Sequence, residues 1–464
     1  MATHWSPINL FILSLIIILQ SRLILAQVIP RNHLIYESRK IFYDTGQDWS
    51  SLTIFGPIRF KSESQRKLKK MYSPIVTNGG IGFNIGNDTY SLNGFGQFKF
   101  KDYFYIYTYP AVVNNATKNY QLVSENKFTN IQEHQSGIGY ENDWIILQFS
   151  KGSESWGSGN DIQLALSENS GIYDYFLLGS DYGKVRVRYI HGFLENVETN
   201  INRYITARGI EWTNKRSLVV GFSETVIYSG ENRSIDIGYL NPISSHLEIE
   251  LNNRLNIIGD GNANAVWQIH LDYLPSENFR VSLNYLYDEF VLDPNIQLGK
   301  EHGKAYSIRL AYSPIILSKN ILTLFTSFVY VGTPTFRHGT GTNNFVHNKR
   351  PLGWYRGSDG QDLSLGINYF NNNNVIVSSS IGFFQSGEEN ITERIFESYS
   401  DYLRGPFPSG EIDNNLYFKF NFSYWWENKI SLSSGFYCSN NIDYGNEINF
   451  KLGLHIFQIF SKEL

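Results

Sequence analysis

The chain has 464 residues, a formal net charge of −4 and a pI of about 6.2, so it lacks the basic field that nucleic-acid binding requires. Aromatic residues make up 16% of it, whereas a single Cys rules out an intrachain disulfide. Mean hydropathy is −0.27, which excludes a bundle of membrane helices, and no Pro/Gly/Ser linker or charge block divides the length into separate domains.

The predicted elements begin with an apolar run, Leu10 to Leu19, followed by Leu23-Ile24-Leu25-Ala26 and polar sequence from Gln27. This reads as a secretory signal over residues 1–26, cleaved after Ala26. Residues 27–79 do not alternate in polarity. Lys61 to Lys70, set between Pro57 and Pro74, has helical character.

From residue 80 to 464 one unit recurs: a strand-length stretch with every second side chain apolar, then a polar break. Ala265, Trp267, Ile269, Leu271 and Tyr273 share one face, with Gln268, His270 and Asp272 on the other. Phe279, Val281, Leu283 and Tyr285 repeat the pattern against Arg280, Ser282 and Asn284, as do Ile448, Phe450, Leu452 and Leu454 against Asn449, Lys451 and His455. This is the signature of an all-β chain folded as a transmembrane antiparallel up-and-down β-barrel. The Tyr and Phe surplus suits interfacial girdles. Residues 27–79 are then expected to form a periplasmic cap or a plug entering the barrel lumen.

Short breaks (427–429, 371–374, 313–320, 275–278, 213–216) alternate with longer ones (438–445, 385–413, 332–360, 291–303, 229–263), as short periplasmic turns and long external loops should. Segments starting near 80, 92, 103, 119, 137, 173, 184, 201, 217, 264, 279, 304, 321, 361, 374, 414, 429 and 446 give about eighteen strands, an even number that puts both ends in the periplasm. A soluble sandwich is disfavoured, because its strands average about 5 to 6 residues.

Catalytic signatures are thin, and the reading is of a protein that is not an enzyme. Gly221-Phe222-Ser223-Glu224-Thr225 lacks the second glycine of a nucleophile elbow. The histidines form no metal-ligand spacing, so neither metal nor cofactor is expected. The loop 332–360 differs in kind. It gathers Arg337, His338, His347, Lys349, Arg350 and Arg356 around Phe336, Phe345, Trp354 and Tyr355. Aromatic faces stack on sugars and Arg or Lys pairs with uronate or phosphate, which suits an acidic glycan. The same loop folded into the lumen as a constriction is an equal alternative.

Two stretches carry a family resemblance. Gly137-Ile138-Gly139-Tyr140, Trp144 and the run Trp156-Gly157-Ser158-Gly159-Asn160-Asp161-Ile162-Gln163-Leu164-Ala165-Leu166-Ser167-Glu168-Asn169 resemble the motif of the Wzi-type capsule assembly proteins. Gly221-Phe222-Ser223-Glu224, Tyr239-Leu240-Asn241-Pro242, Pro351-Leu352-Gly353-Trp354 and Gly357-Ser358-Asp359-Gly360 are similar to later blocks of that family. The resemblance implies a Gram-negative outer-membrane barrel of about eighteen strands that binds capsular polysaccharide and tethers it at the cell surface. Gly157, Gly159, Asp161 and Asn169 would form the family turn motif. Ser158 stands where the family usually has Pro, and Ser170 replaces a common Ala.

The expected polysaccharide contacts are Trp156, Trp354 and Tyr355 as stacking platforms and Arg337, Lys349, Arg350 and Arg356 as charge partners. Expected partners are surface or capsular polysaccharide, outer-membrane lipid and the barrel assembly machinery, with no nucleic acid. Deleting 333–359 should then leave the barrel stable. The rival is a porin-like channel for small solutes, lined by His270, Arg280, Arg309, Lys419 and Lys451.

Overall fold

The computed structural model of the chain describes residues 34–45, 79–87, 90–100, 104–113, 135–142, 144–197, 200–251, 263–288, 299, 301–317, 320–371, 374–399, 404–427, 429–441 and 445–457. Their strands join in one antiparallel sheet that closes on itself as an 18-strand barrel. Two pieces of the sheet, Phe104–Tyr109 and Ala111–Val113, are halves of one wall strand. Both pair with Tyr90–Phe100, and the register runs unbroken from Gly96↔Thr108 to Asn93↔Ala111 across Pro110. Proline offers the ladder no N–H, but the Pro110 carbonyl still accepts Gly94 N at 2.8 Å.

The closing seam pairs Gly79–Gly86 with Gly445–Phe457, from Gly80↔Phe457 to Gly86↔Lys451. Closure gives every described wall strand a neighbour on each side, as a sheet crossing hydrocarbon requires. Side chains alternate across the wall as the sequence predicts. On Ala263–Ser276, Gln268, His270 and Asp272 are buried toward the lumen, while Ile269 and Tyr273 are exposed outside.

Turns sort by side. At one end all are short: 101–103, 142–144, 182–184, 214–217, 277–278, 318–319, 372–374 and 427–429. At the other end 153–172 and 332–359 are long, and the strands flanking 114–134, 232–262, 289–302 and 387–412 stand well apart in sequence, whereas those flanking 87–89, 198–200 and 442–444 do not. The short-turn end is the periplasmic one. Exposed Trp144, Tyr182, Trp212, Tyr273, Tyr424 and Trp426 all sit near it, forming one girdle.

Two strand expectations differ from the structure. The segment near 119 lies outside the described residues, and Ile145–Gly152 is a wall strand absent from the expected segments, which pass from 137 to 173. Only 142–144 separates it from Gln135–Glu141, too short a polar break to register as one. The break at 438–445 is also shorter than expected, because Ile430–Asn441 runs on to within three residues of the last strand.

The lumen is occupied. Helix Leu34–Tyr43 lies inside the wall, with Glu37 in its first turn and Lys40 in its last, each suited to the helix dipole. Its apolar stripe, Leu34, Ile41 and Phe42, packs on Ile321, Phe370, Ile376, Trp425 and Phe457 at the periplasmic ends of their strands. The chain just after it is pinned by charge: Arg309 donates to Asp44 at 3.1 Å (Nε) and 2.7 Å (Nη2). Tyr43 donates to Asp272 at 3.0 Å, and Asp272 also receives Arg280 Nε at 2.8 Å. From the opposite end, loops 153–172 and 332–359 fold inward and share one apolar core with the wall residues Ile190, Ile205, Ile227 and Val266.

Candidate functional site: the luminal loops and the external mouth

The turn after Trp156 owes its path to two glycines. Gly157 (φ +110°) and Gly159 (φ +83°) are left-handed, and a Cβ on Gly157 would stand 2.5 Å from Gln268 Nε2 on the wall. Between them Ser158 N donates to Asn284 Oδ1 at 2.8 Å and Ser158 Oγ to the Leu283 carbonyl at 2.7 Å. A proline at this position offers neither donor, so the departure from the family turn is used to fasten the loop to the wall. Asp161 (φ +64°) and Asn169 border a luminal cavity.

Loop 332–359 locks onto that turn. Ser167 N donates to the Leu352 carbonyl at 2.9 Å and Trp354 N to the Leu164 carbonyl at 3.1 Å. Arg203 projects inward from its strand and donates to three carbonyls of the loop, Thr342 (2.5 Å), Asn344 (2.6 Å) and Val346 (2.9 Å), and to Glu195 at 2.6 Å. Asp359 (φ +51°) accepts Thr333 Oγ1, Ser409 N, Ser409 Oγ and Glu389 N, joining the loop to 387–412.

Most of the residues expected to face a glycan are therefore inside. Trp156 and Trp354 are 1% exposed and belong to the luminal core. Arg337, 1% exposed, pairs with Glu389 and lies over the Tyr399 ring at 4.5 Å. Arg356, 2% exposed, donates to Asp362 at 3.0 Å and sits over Phe384 at 3.9 Å. Arg350 is buried opposite His347 in a two-residue hairpin. Tyr355 is half-buried, its hydroxyl accepting Lys419 Nζ at 2.9 Å and Arg356 Nε at 3.1 Å. Their placement, the inward alternative for this loop, has a simple cause. Indole rings find apolar neighbours in the lumen, and guanidinium groups follow only where carboxylates and ring faces meet them. Deleting 333–359 would take Phe336, Phe345, Leu352 and Trp354 out of the core, so it would not be the neutral change expected of a surface loop.

Lys349 alone of the set is exposed. The hairpin Val346–His347/Arg350–Pro351 turns through Asn348 (φ +48°) and Lys349 (φ +61°), the two positive φ values of a primed turn, which leaves the ammonium at the tip. Around it the mouth is built from 338–342 and 394–399. Tyr399 N donates to the His338 carbonyl at 2.9 Å, and Asn344 Nδ2 reaches the Ile395 and Glu397 carbonyls at 3.1 and 3.0 Å. His338, Arg394, Phe396 and Tyr399 are partly exposed there. Burial, with the Glu389 carboxylate adding to it, pushes the Tyr399 phenol up, so it stays a neutral donor. Arg394, Phe396 and Tyr399 escaped the sequence reading because their loop lacks the dense basic and aromatic mixture of 332–360. Arg203 was visible only as an inward position in an alternating strand.

A cavity of about 240 Å³ remains between the helix and the opposite wall, bordered by Lys40, Glu168, Arg309, Phe325, Asn421 and Lys451. Lys40 donates to Glu168 at 2.8 Å. Burial alone would lower the Lys40 ammonium, but Glu168, Tyr36 and Asp161 together hold it well above the usual lysine range. Among the described residues no three His, Cys, Asp or Glu side chains converge to hold a metal ion.

No family model matches the sequence, and no curated protein matches it. Among solved structures the barrel is similar to Wzi of Escherichia coli, described as an outer-membrane protein involved in group 1 capsule assembly and a carbohydrate-binding β-barrel. The TM-score is 0.60 at 11% identity over 85% of this chain and 87% of that one. The fold is that of the Wzi barrel. The Pseudomonas aeruginosa proteins OccK10 and OprD overlay with TM-scores of 0.46 and 0.44 at 8% identity each, over 84% and 81% of this chain and 99% and 92% of theirs. The Wzi likeness agrees with the family resemblance read from Trp156 to Asn169, and the architecture is that of an outer-membrane protein.

Proposed function

We propose that the chain is a non-enzymatic outer-membrane barrel that holds a surface polysaccharide, acidic in character, at its external mouth. The observation that carries this reading is the filled lumen. Loops 153–172 and 332–359 enter from outside and helix Leu34–Tyr43 packs near the periplasmic end, each fixed by buried bonds. A barrel spent on supporting its own loops offers a rigid platform rather than a passage, and rigidity lowers the ordering cost of binding. The carbohydrate binding named for the similarly folded Wzi supports the same reading. Lys349 and Arg394 would meet carboxylate or phosphate groups, with Phe396 and Tyr399 against sugar faces. Trp156, Arg337, Arg350, Trp354 and Arg356 would act from beneath, by holding the mouth in shape.

The test is a glycan array probed with the refolded protein and with a Lys349→Ala/Arg394→Ala variant. Acidic glycans should bind in a salt-sensitive way and be lost in the variant, whose thermal stability should not change. Undiminished binding by the variant would remove these residues from the site. The polar cavity beside Lys40, Arg309 and Lys451 favours a second reading, a narrow solute channel. A steady conductance in planar bilayers would support that reading instead.

A further inference from the structure

Loop 232–251 is built inside out. It leaves the external end of Leu218–Glu231 but folds down over the outer wall, with the short helices Ile237–Leu240 and His246–Leu251. Several of its polar groups reach the barrel, while Ser234, Asn241 and Glu248 stay exposed. The Tyr239 carbonyl accepts Tyr189 Oη at 2.8 Å, His246 N donates to Glu224 Oε1 at 3.1 Å, and the Tyr239 ring stacks on Tyr228 at 4.5 Å. Tyr239 and Ile249 are buried against the wall, whereas four other apolar side chains point away: Ile235 is 53% exposed, Ile237 82%, Leu240 42% and Ile243 88%. A loop bathed in water would do the reverse.

What it covers is a charged patch on the wall's outward face. Arg208 Nε meets Glu224 Oε2 at 3.2 Å, and Trp267 Nε1 donates to Glu224 at 3.0 Å. On the same face lie exposed Ile210, Phe222 and Ile269, and the girdle residue Trp212, which pairs with Val220. Glu224 is four residues beyond Val220 on its strand. At about 3.3 Å per residue and a tilt of about 40°, that is roughly 10 Å into an apolar band about 25 Å tall. The ion pair thus stands at hydrocarbon depth, where a bare Arg on the lipid face is strongly unfavourable.

We propose that segment 232–251 is immersed in the bilayer, where Ile235, Ile237, Leu240 and Ile243 contact lipid acyl chains and extend the band formed by Phe222 and Ile269. The loop is the lipid-facing wall of this sector and seals Arg208 and Glu224 from the bilayer. Continuity with that band identifies the occupant as acyl chain rather than protein.

The test uses the full chain in a Cys438→Ser background carrying Ile237→Cys or Ile243→Cys. Each is labelled with bimane and reconstituted in phosphatidylcholine vesicles with and without lipids brominated along the acyl chain. Phe222→Cys serves as the lipid control and Lys349→Cys as the aqueous one. Both loop labels should lose as much fluorescence to bromolipid as the Phe222→Cys label and resist aqueous iodide. Quenching by iodide and not by bromolipid would overturn the proposal. So would protection from both quenchers together with cross-linking between barrels, which would mark a second copy as the occupant.

Discussion

A methyl group placed on Gly353 would lie 1.6 Å from the Leu164 carbonyl oxygen. The two inward loops touch backbone to backbone at this point, and no rotamer change can make room. Gly353→Ala should therefore destabilise the protein by more than the ~1–3 kcal/mol usual for an overpacked site. The expected readout is a lower midpoint for the heat-dependent gel shift, with 332–359 becoming sensitive to protease before the wall unfolds.

The ion pair Arg208–Glu224 predicts a non-additive pattern. Removing one partner leaves a charge enclosed without its counter-ion, whereas removing both leaves no charge behind and only the neutral donors His246 N and Trp267 Nε1 without their acceptor. Arg208→Leu or Glu224→Leu alone should cost about 3–5 kcal/mol, and the double variant should cost clearly less than the sum of the two, the remainder reflecting the donors that lose Glu224. Urea unfolding of the four proteins in one detergent checks this, and additivity would contradict it.

Asp44→Ala should loosen the luminal helix. It strands Arg309, which is 3% exposed and donates twice to that carboxylate. Amide exchange across 34–45 is expected to rise well above that of the wall strands, with brief current openings in planar bilayers. Unchanged exchange would mean that Leu34, Ile41 and Phe42 hold the helix without help.

The Lys40–Glu168 contact carries a pH signature. Because the folded state raises the Lys40 pKa above its ordinary 10.5, the stabilisation is fully present below that value and is lost as pH rises through the higher folded one. Protection of helix Leu34–Tyr43 should be constant from neutral pH to about 10 and fall beyond it. Lys40→Met should abolish that alkaline step.

The wall was legible in the sequence because a two-residue period needs no distant partner. Ile269 and His270 declare opposite faces wherever the strand ends up. Boundaries read less well where a turn is as brief as 142–144. The direction of loop 332–359 was not legible. A Trp such as Trp354 suits a sugar or a core equally, and the choice is made by Leu164 and Arg203, far away in the chain. Loop 232–251 hid its role for a related reason. Tyr239 to Pro242 stand out as a family block, whereas the informative residues are the isoleucines around them, which are meaningful only once Glu224 is seen beneath.

The seam between Gly79–Gly86 and Gly445–Phe457 joins the first wall strand to the last. The ring therefore cannot shut until nearly the whole polypeptide has been made. Helix Leu34–Tyr43 precedes the first strand yet ends up enclosed, so it must be laid in place while the cylinder is still a gutter, or thread through the periplasmic opening afterwards. Either order makes biogenesis a problem of sequence in time. A chaperone that delays the final zippering would favour the occupied interior over an empty one.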